Sequence, residues 1–359
     1  MGRLSRYLDT KSLKEIIKRL EKEVRQRPKD IATRLQLALS YMKIKDTENA
    51  REQLVRVTEL DKRHVDAHYY LGVAMADSGD IKEAKSAWEK ALSIDKNHSP
   101  SLYFLGKLSA IEHNLDAAIS YTERAKAAKP NNMLAHLQLG ELYLAKGRIK
   151  DSLAQWLEVL KFEPSNLQCL HNAGAIYTDL QMFDEALDML NRAERLGSEA
   201  PLLFFNKGIC FIGKKEHEKA VESLVRAKEL EPENTKTMIA LGQAYALAGD
   251  IDSAISEWEQ VVEITPDDAY ALDNLGLGYL QKQQPDEAVK YWEKCVLANP
   301  EYIPAHEKIA TVAIGKRDFK KAIFKWQQIS HLQQNSIIPQ VVLGDLNLRA
   351  GNLDEAKAI

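Results

Sequence analysis

Cysteine is scarce in this chain: Cys169, Cys210 and Cys295 are the only three in 359 residues, too few and too far apart for a disulfide framework. None forms the C-x-x-C pair that would hold zinc, so no metal is expected and a reducing compartment, the cytoplasm, is the expected location. A stretch of about eighteen consecutive apolar residues, the minimum for crossing a bilayer, is also missing. The polar start carries no apolar core of a secretory signal, and MGRLSR has Arg6 where a myristoylation signal needs Ser or Thr. The net charge is only −3 with both signs interspersed, so nothing in it seeks a polyanion and nucleic acid is not an expected partner. Catalytic signatures are lacking as well. Gly276-Leu277-Gly278 follows no strand, Gly213-Lys214 has no upstream glycine loop, and no triad or paired-carboxylate constellation is legible. No enzyme activity and no cofactor are expected of these residues.

What is present is a period. From Ala38 a small residue recurs every 34 positions, as Gly72, Gly106, Gly140, Gly174, Gly208, Gly242, Gly276, Ala310 and Gly344. A second small series follows 12 positions behind it, from Ala50, Ala84, Ala118 and Ser152 through to Ala356. Two sites per unit therefore exclude bulk, which implies two backbones in close approach. Repetition at this length means one supersecondary unit stacked many times.

Within residues 235–268, Met238, Leu241, Gly242 and Tyr245 share one helical face. After a turn at Gly249-Asp250, residues Ile251, Ala254, Ile255, Trp258, Val261 and Val262 trace a second stripe that stops before Pro266. Each unit reads as a helical hairpin. The eleven prolines test that register, because proline inside a helix costs about 3 kcal/mol. All of them fall at expected helix ends. The five tryptophans (Trp88, Trp156, Trp258, Trp292, Trp326) share one repeat position and are expected to pack as core knobs against a neighbouring hairpin. Tyr41, Tyr143, Tyr177, Tyr245 and Tyr279 share another phase and a packing role, and His68, His136 and His306 share a helix-packing position. His64 and His68 have i, i+4 spacing but no third ligand, so no metal site is expected there.

This pattern resembles the tetratricopeptide repeat, with its LG dipeptides at 71–72, 105–106, 139–140, 241–242, 275–276 and 343–344, its small residue in the second helix and its closing proline. The resemblance spans residues 31–359 as nine full repeats, from 31–64 to 303–336, and a truncated tenth. It implies an all-α fold, a right-handed superhelical solenoid of antiparallel helix pairs. Residues 1–30 form a basic segment with ten Lys/Arg through residue 29 and an amphipathic stripe (Leu13, Ile16, Ile17, Leu20, Val24), expected to be a capping helix rather than a membrane anchor. The chain stops inside the second helix of the tenth unit, and the expectation is that a parent protein continues. Repeat three, with Ser109 and Thr122, and repeat nine, with Ala310, Ala313 and Gln334, depart furthest from the pattern and are expected to open first.

The family resemblance also implies where a partner sits, because the first helices of such hairpins line a concave face. The residues projecting there include Leu137, Glu141, His171, Asn172, Phe205, Asn206, Ile209, Ile212, Ile239, Gln243, Asp273 and Asn274, and these are the expected groove. Phe205, Ile209 and Ile212 form an i, i+4, i+7 stripe suited to an apolar peptide or helix, or else buried by tight curvature. Asn172, Asn206 and Asn274 share one repeat position. In the arm of O-linked N-acetylglucosamine transferase, a ladder of asparagines at the matching position grips peptide backbone. The Lys and Asn pair of chaperone-tail clamps is absent from every unit. The expected function is a protein-interaction scaffold for a partner peptide or helix, without stable membrane insertion and with self-association through the array ends open. The rival expectation is a substrate-presenting or regulatory arm of a larger enzyme, such as a glycosyltransferase, whose catalytic domain lies outside this chain.

Overall fold

The computed structural model describes residues 2–358, with side chains for residues 12–356 and 358; the first eleven side chains of the basic segment lie outside the described residues. All regular structure among them is α-helical, and it falls into two compact units, residues 1–169 and 170–359. The first opens with α1 (Gly2–Gln26) and continues in antiparallel pairs: α2 (Ile31–Lys43) with α3 (Thr47–Leu60), α4 (Val65–Asp77) with α5 (Ile81–Ile94), α6 (Ser99–Ile111) with α7 (Leu115–Ala128), and α8 (Met133–Ala145) with α9 (Ile149–Phe162). The second holds most of α10 (Leu167–Asp179), then α11 (Phe183–Arg195), α12 (Pro201–Gly213), α13 (His217–Leu230), α14 (Thr235–Ala248) and α15 (Ile251–Ile264). It continues with α16 (Ala269–Gln281), α17 (Pro285–Ala298), α18 (Ile303–Gly315), α19 (Phe319–Leu332), α20 (Ile338–Ala350) and α21 (Leu353–Ala358).

Local chemistry explains the boundaries. Asp30, Asn132, Asn234 and Asp268 cap the helices that follow them, each side chain accepting a hydrogen bond from the backbone N–H three residues on. His64 and His98 do the same with Nδ1, toward Ala67 and Ser101. The turn inside each hairpin needs one left-handed residue. Gly79, Gly147, Gly249 and Gly351 supply it without strain, but Lys45, His113, Gln181, Lys215, Gln283 and Arg317 hold the same repeat position at φ of 58–62°.

The two small-residue series do face each other. The Ser152 hydroxyl donates to the Gly140 carbonyl at 2.7 Å, and a Cβ on Gly106 would stand 3.2 Å from the Ala118 carbonyl. Above four of these glycines the space is filled by the indole sixteen positions later in the same hairpin: Trp88 over Gly72, Trp156 over Gly140, Trp258 over Gly242 and Trp292 over Gly276. Any Cβ at these glycines would fall within 2.3–2.9 Å of indole atoms. Trp88, Trp156, Trp258 and Trp292 are buried core residues, as expected, and each of these four also closes its own hairpin. Trp88 also stacks on Phe104 of the next pair at 5.2 Å. Trp88, Trp258 and Trp292 further donate Nε1–H to the carbonyls of Tyr69, Ile239 and Asp273 at 3.2–3.3 Å. In the hairpin where Ala310 replaces the glycine, Trp326 is only half-buried, against Ala313, Ala322 and Leu346.

Polar periodicity joins successive pairs. Tyr41, Tyr143 and Tyr279 donate their hydroxyls to Glu21, Glu123 and Glu259 of the preceding helix, so the tyrosine phase carries a hydrogen bond as well as packing. Lys146 pairs with Asp116, Lys214 with Asp184, Lys282 with Asp252 and Lys316 with Asp286, each 30 residues apart. These pairs lie at the solvent-exposed surface and add little to stability. On α1, Ile17, Leu20 and Val24 are buried against Leu37 and Tyr41 of α2.

Candidate interaction grooves

In the second unit, α12, α14 and α16 bound a groove of about 760 Å³. Its apolar surface comes from Phe205, Ile239, Leu247, Tyr270 and Leu277, and its polar groups include Lys236, Gln243 and Asn274. Four expected residues, Phe205, Ile239, Gln243 and Asn274, are thereby brought together. Tyr270, Leu247 and Gln281 join them from helix positions outside the expected set. Tyr270 is 67% exposed, large and apolar at the first turn of α16, and the repeat of Leu134 and Leu202 at that same position was the available signal.

The remaining expected residues are placed differently. Ile209 and Ile212, like Phe205, are half-buried against the cluster of Ala220, Leu224, Ala240, Leu241 and Ala244, but these two isoleucines do not line the groove. Asn172 is half-buried and Asn206 buried; among the described residues the side-chain amides of Asn172, Asn206 and Asn274 have no hydrogen-bond partner. Asp273 is buried, and both its carboxylate oxygens accept from Lys308 Nζ at 2.7 Å while Tyr302 donates at 3.1 Å. His171 is engaged through Nε2 with the Ser198 hydroxyl at 2.9 Å, and burial pulls its pKa down from the usual histidine value.

Leu137 and Glu141 belong to the first unit, where they line a groove of about 510 Å³ with Tyr103, Lys107, Ile111 and Leu134. Glu141 accepts a hydrogen bond from Gln168 Nε2 at 2.9 Å. Gln138, which shares the repeat position of the three asparagines, also lines this groove. Its buried Oε1 and Nε2 have no partner among the described residues. Leaving such a group unpaired costs about 1–3 kcal/mol.

Reactive side chains are quiet. Burial pushes the Cys169 thiol up to about 12 and the Cys295 thiol up to about 11, and it raises Cys210 as well, so thiolate is scarce at neutral pH. His68, His136 and His306 each place Nε2 against the carbonyl six residues earlier, at 2.9–3.1 Å, which is a structural use of the ring. Among the described residues no group of three or more His, Cys, Asp or Glu could hold a metal ion. No helix there is long and apolar enough to cross a membrane.

A chain of helical hairpins closed by glycine–indole contacts, with grooves along the first helices, defines a helical repeat protein. Family models for the tetratricopeptide repeat match residues 31–64 and 203–234, residues 65–98 and 269–302, residues 102–166, and, as the TPR repeat, residues 242–283. Together they cover more than half the sequence, and the chain belongs to the tetratricopeptide repeat family. Among solved structures, a tetratricopeptide repeat protein from Parabacteroides merdae is similar at 15% identity over 70% of this chain and 98% of that one, with a TM-score of 0.53. MamA is similar at 26% identity over 47% of this chain and 92% of that one (TM-score 0.44). Yeast Tom70 is similar at 23% identity over 78% and 62% (TM-score 0.41). No match was found among the curated proteins.

Proposed function

We propose that this chain is a protein-interaction scaffold and that the groove of the second unit holds a peptide or helix from a partner protein. The observation that carries this reading is the gathering of Phe205, Ile239, Leu277 and Tyr270 around one 760 Å³ groove, with Gln243 and Asn274 beside them. Apolar anchors bury surface on binding, while side-chain amides satisfy peptide N–H and C=O groups without reading sequence. The unpartnered amide of Asn274 fits that second task, and Gln138 fits it in the first-unit groove. Buried, protonated thiols suit the cytoplasm as the place of action.

The test is capture by the full chain followed by mass spectrometry, repeated with Phe205→Glu combined with Ile239→Glu. The partner retained by the wild type is lost by the double variant, while far-UV circular dichroism stays the same. Retention of that partner by a folded double variant overturns the reading.

A further inference from the structure

Repeat units that end in proline at 164, 232, 266 and 300 have Ser198 at the equivalent place, after Gly197 at φ 83°. The helix before it, α11, accordingly ends at Arg195 with 13 residues, where α13, α15 and α17 have 14. Beside this break, between the end of α11 and the outer faces of α12 and α13, lies a second cavity of about 740 Å³ in the second unit. None of the groove residues named above lines it. Its size falls within the roughly 300–1,000 Å³ typical of ligand pockets.

Its chemistry is specific. Phe204 and Phe211, one helical face of α12, contribute two aromatic rings. The three cations that line the cavity are already matched. Lys207 pairs with Glu194 at 2.6 Å, Lys219 with Glu216 at 2.6 Å, and Arg226 with Glu229 at 2.9 Å and Glu199 at 3.6 Å. That leaves Glu222 as a lining carboxylate with no ion-pair partner among the described residues. Independently, Ser223 also lines the cavity, is only 8% exposed, and its hydroxyl has no hydrogen-bond partner among the described residues. The rings are already used for cations here: the Arg226 guanidinium carbon lies 6.0 Å from the Phe204 centroid and Lys219 Nζ 5.7 Å from that of Phe211.

We propose that this lateral cavity is a second binding site, for an arginine side chain presented by a partner polypeptide. A guanidinium matches what the cavity has left over: its N–H groups pair with the Glu222 carboxylate and donate to the Ser223 hydroxyl, beside rings that already accommodate cations. Anionic ligands meet cations that are already neutralised and a spare negative charge.

The test is fluorescence anisotropy of the full chain with a fluorescein-labelled Gly-Arg-Gly-Arg-Gly peptide and its citrulline counterpart, which keeps the shape and loses the charge. Saturable binding of the arginine peptide is expected, weakened by about tenfold or more in Glu222→Lys, the scale of a lost close charge pair. The peptide's affinity is unchanged in Phe205→Glu with Ile239→Glu, which separates this site from the groove. Glu83→Lys, an equal change of net charge on the first unit, also leaves binding intact. Equal binding of the citrulline peptide, wild-type affinity in Glu222→Lys, equal loss in Glu83→Lys, or no saturable binding overturns the proposal.

Discussion

Lys308 Nζ stands 2.7 Å from both carboxylate oxygens of Asp273, a residue only 6% exposed, and so a charge that the repeat pattern points toward a partner is satisfied within the fold. A buried charge left alone is expensive, whereas the intact pair contributes little net stability. Lys308→Ala is therefore expected to destabilise the protein by about 3–5 kcal/mol, and Lys308→Met with Asp273→Leu by much less. Urea denaturation checks both, and equal losses in the two variants contradict this account.

The glycine–indole closure gives a second expectation. Trp258→Ala opens a cavity above Gly242 and is expected to cost about 3–5 kcal/mol. Where the closure is poorer, opening comes sooner. Repeat three has Thr122 over Gly106, and in repeat nine Ala310 replaces the glycine and Trp326 is only half-buried. Hydrogen exchange is expected to be fastest in those two hairpins, apart from fraying at the termini, and uniform protection along the chain argues against it.

Six side chains occupy the left-handed turn position that glycine fills elsewhere. Gln283→Gly is expected to stabilise by about 1 kcal/mol, and Gly249→Ala to destabilise by a similar amount, because a Cβ at positive φ clashes with its own backbone. Thermal melts of the two single variants should move in opposite directions.

Burial of His171 sets the sign of one pH effect. Its folded-state pKa lies below the unfolded value of about 6.5, so the unfolded chain takes up a proton there that the folded one resists. This contribution to stability is fully present above pH of about 6.5 and is lost as the pH falls below it. His171→Gln is expected to flatten the fall in melting temperature between neutral and mildly acidic buffer. An unchanged slope assigns the acid sensitivity elsewhere.

Much of the fold was legible because small residues and prolines act locally: Gly242 excludes bulk and Pro266 ends a helix in any context. The site was less legible. Phe205, Ile239, Gln243 and Asn274, which the family resemblance implied, line one groove, but repeat position could not separate them from Asp273, which has the same helix face and a lysine 35 residues away to neutralise it. Tyr270 was missed because its position lies outside the expected set, and the cavity beside α11 because a missing proline reads as mere variation.

The order of amino acids by itself dictated the hairpin, its length, its two close-contact sites and the placement of every proline, since these depend on backbone sterics and on side chains at most a few helical turns apart. Tertiary structure alone decided which polar groups are spent on one another and which still face a groove. Burial and ion pairing depend on what neighbouring helices bring within 3 Å or so, and a repeating pattern holds no record of that distance.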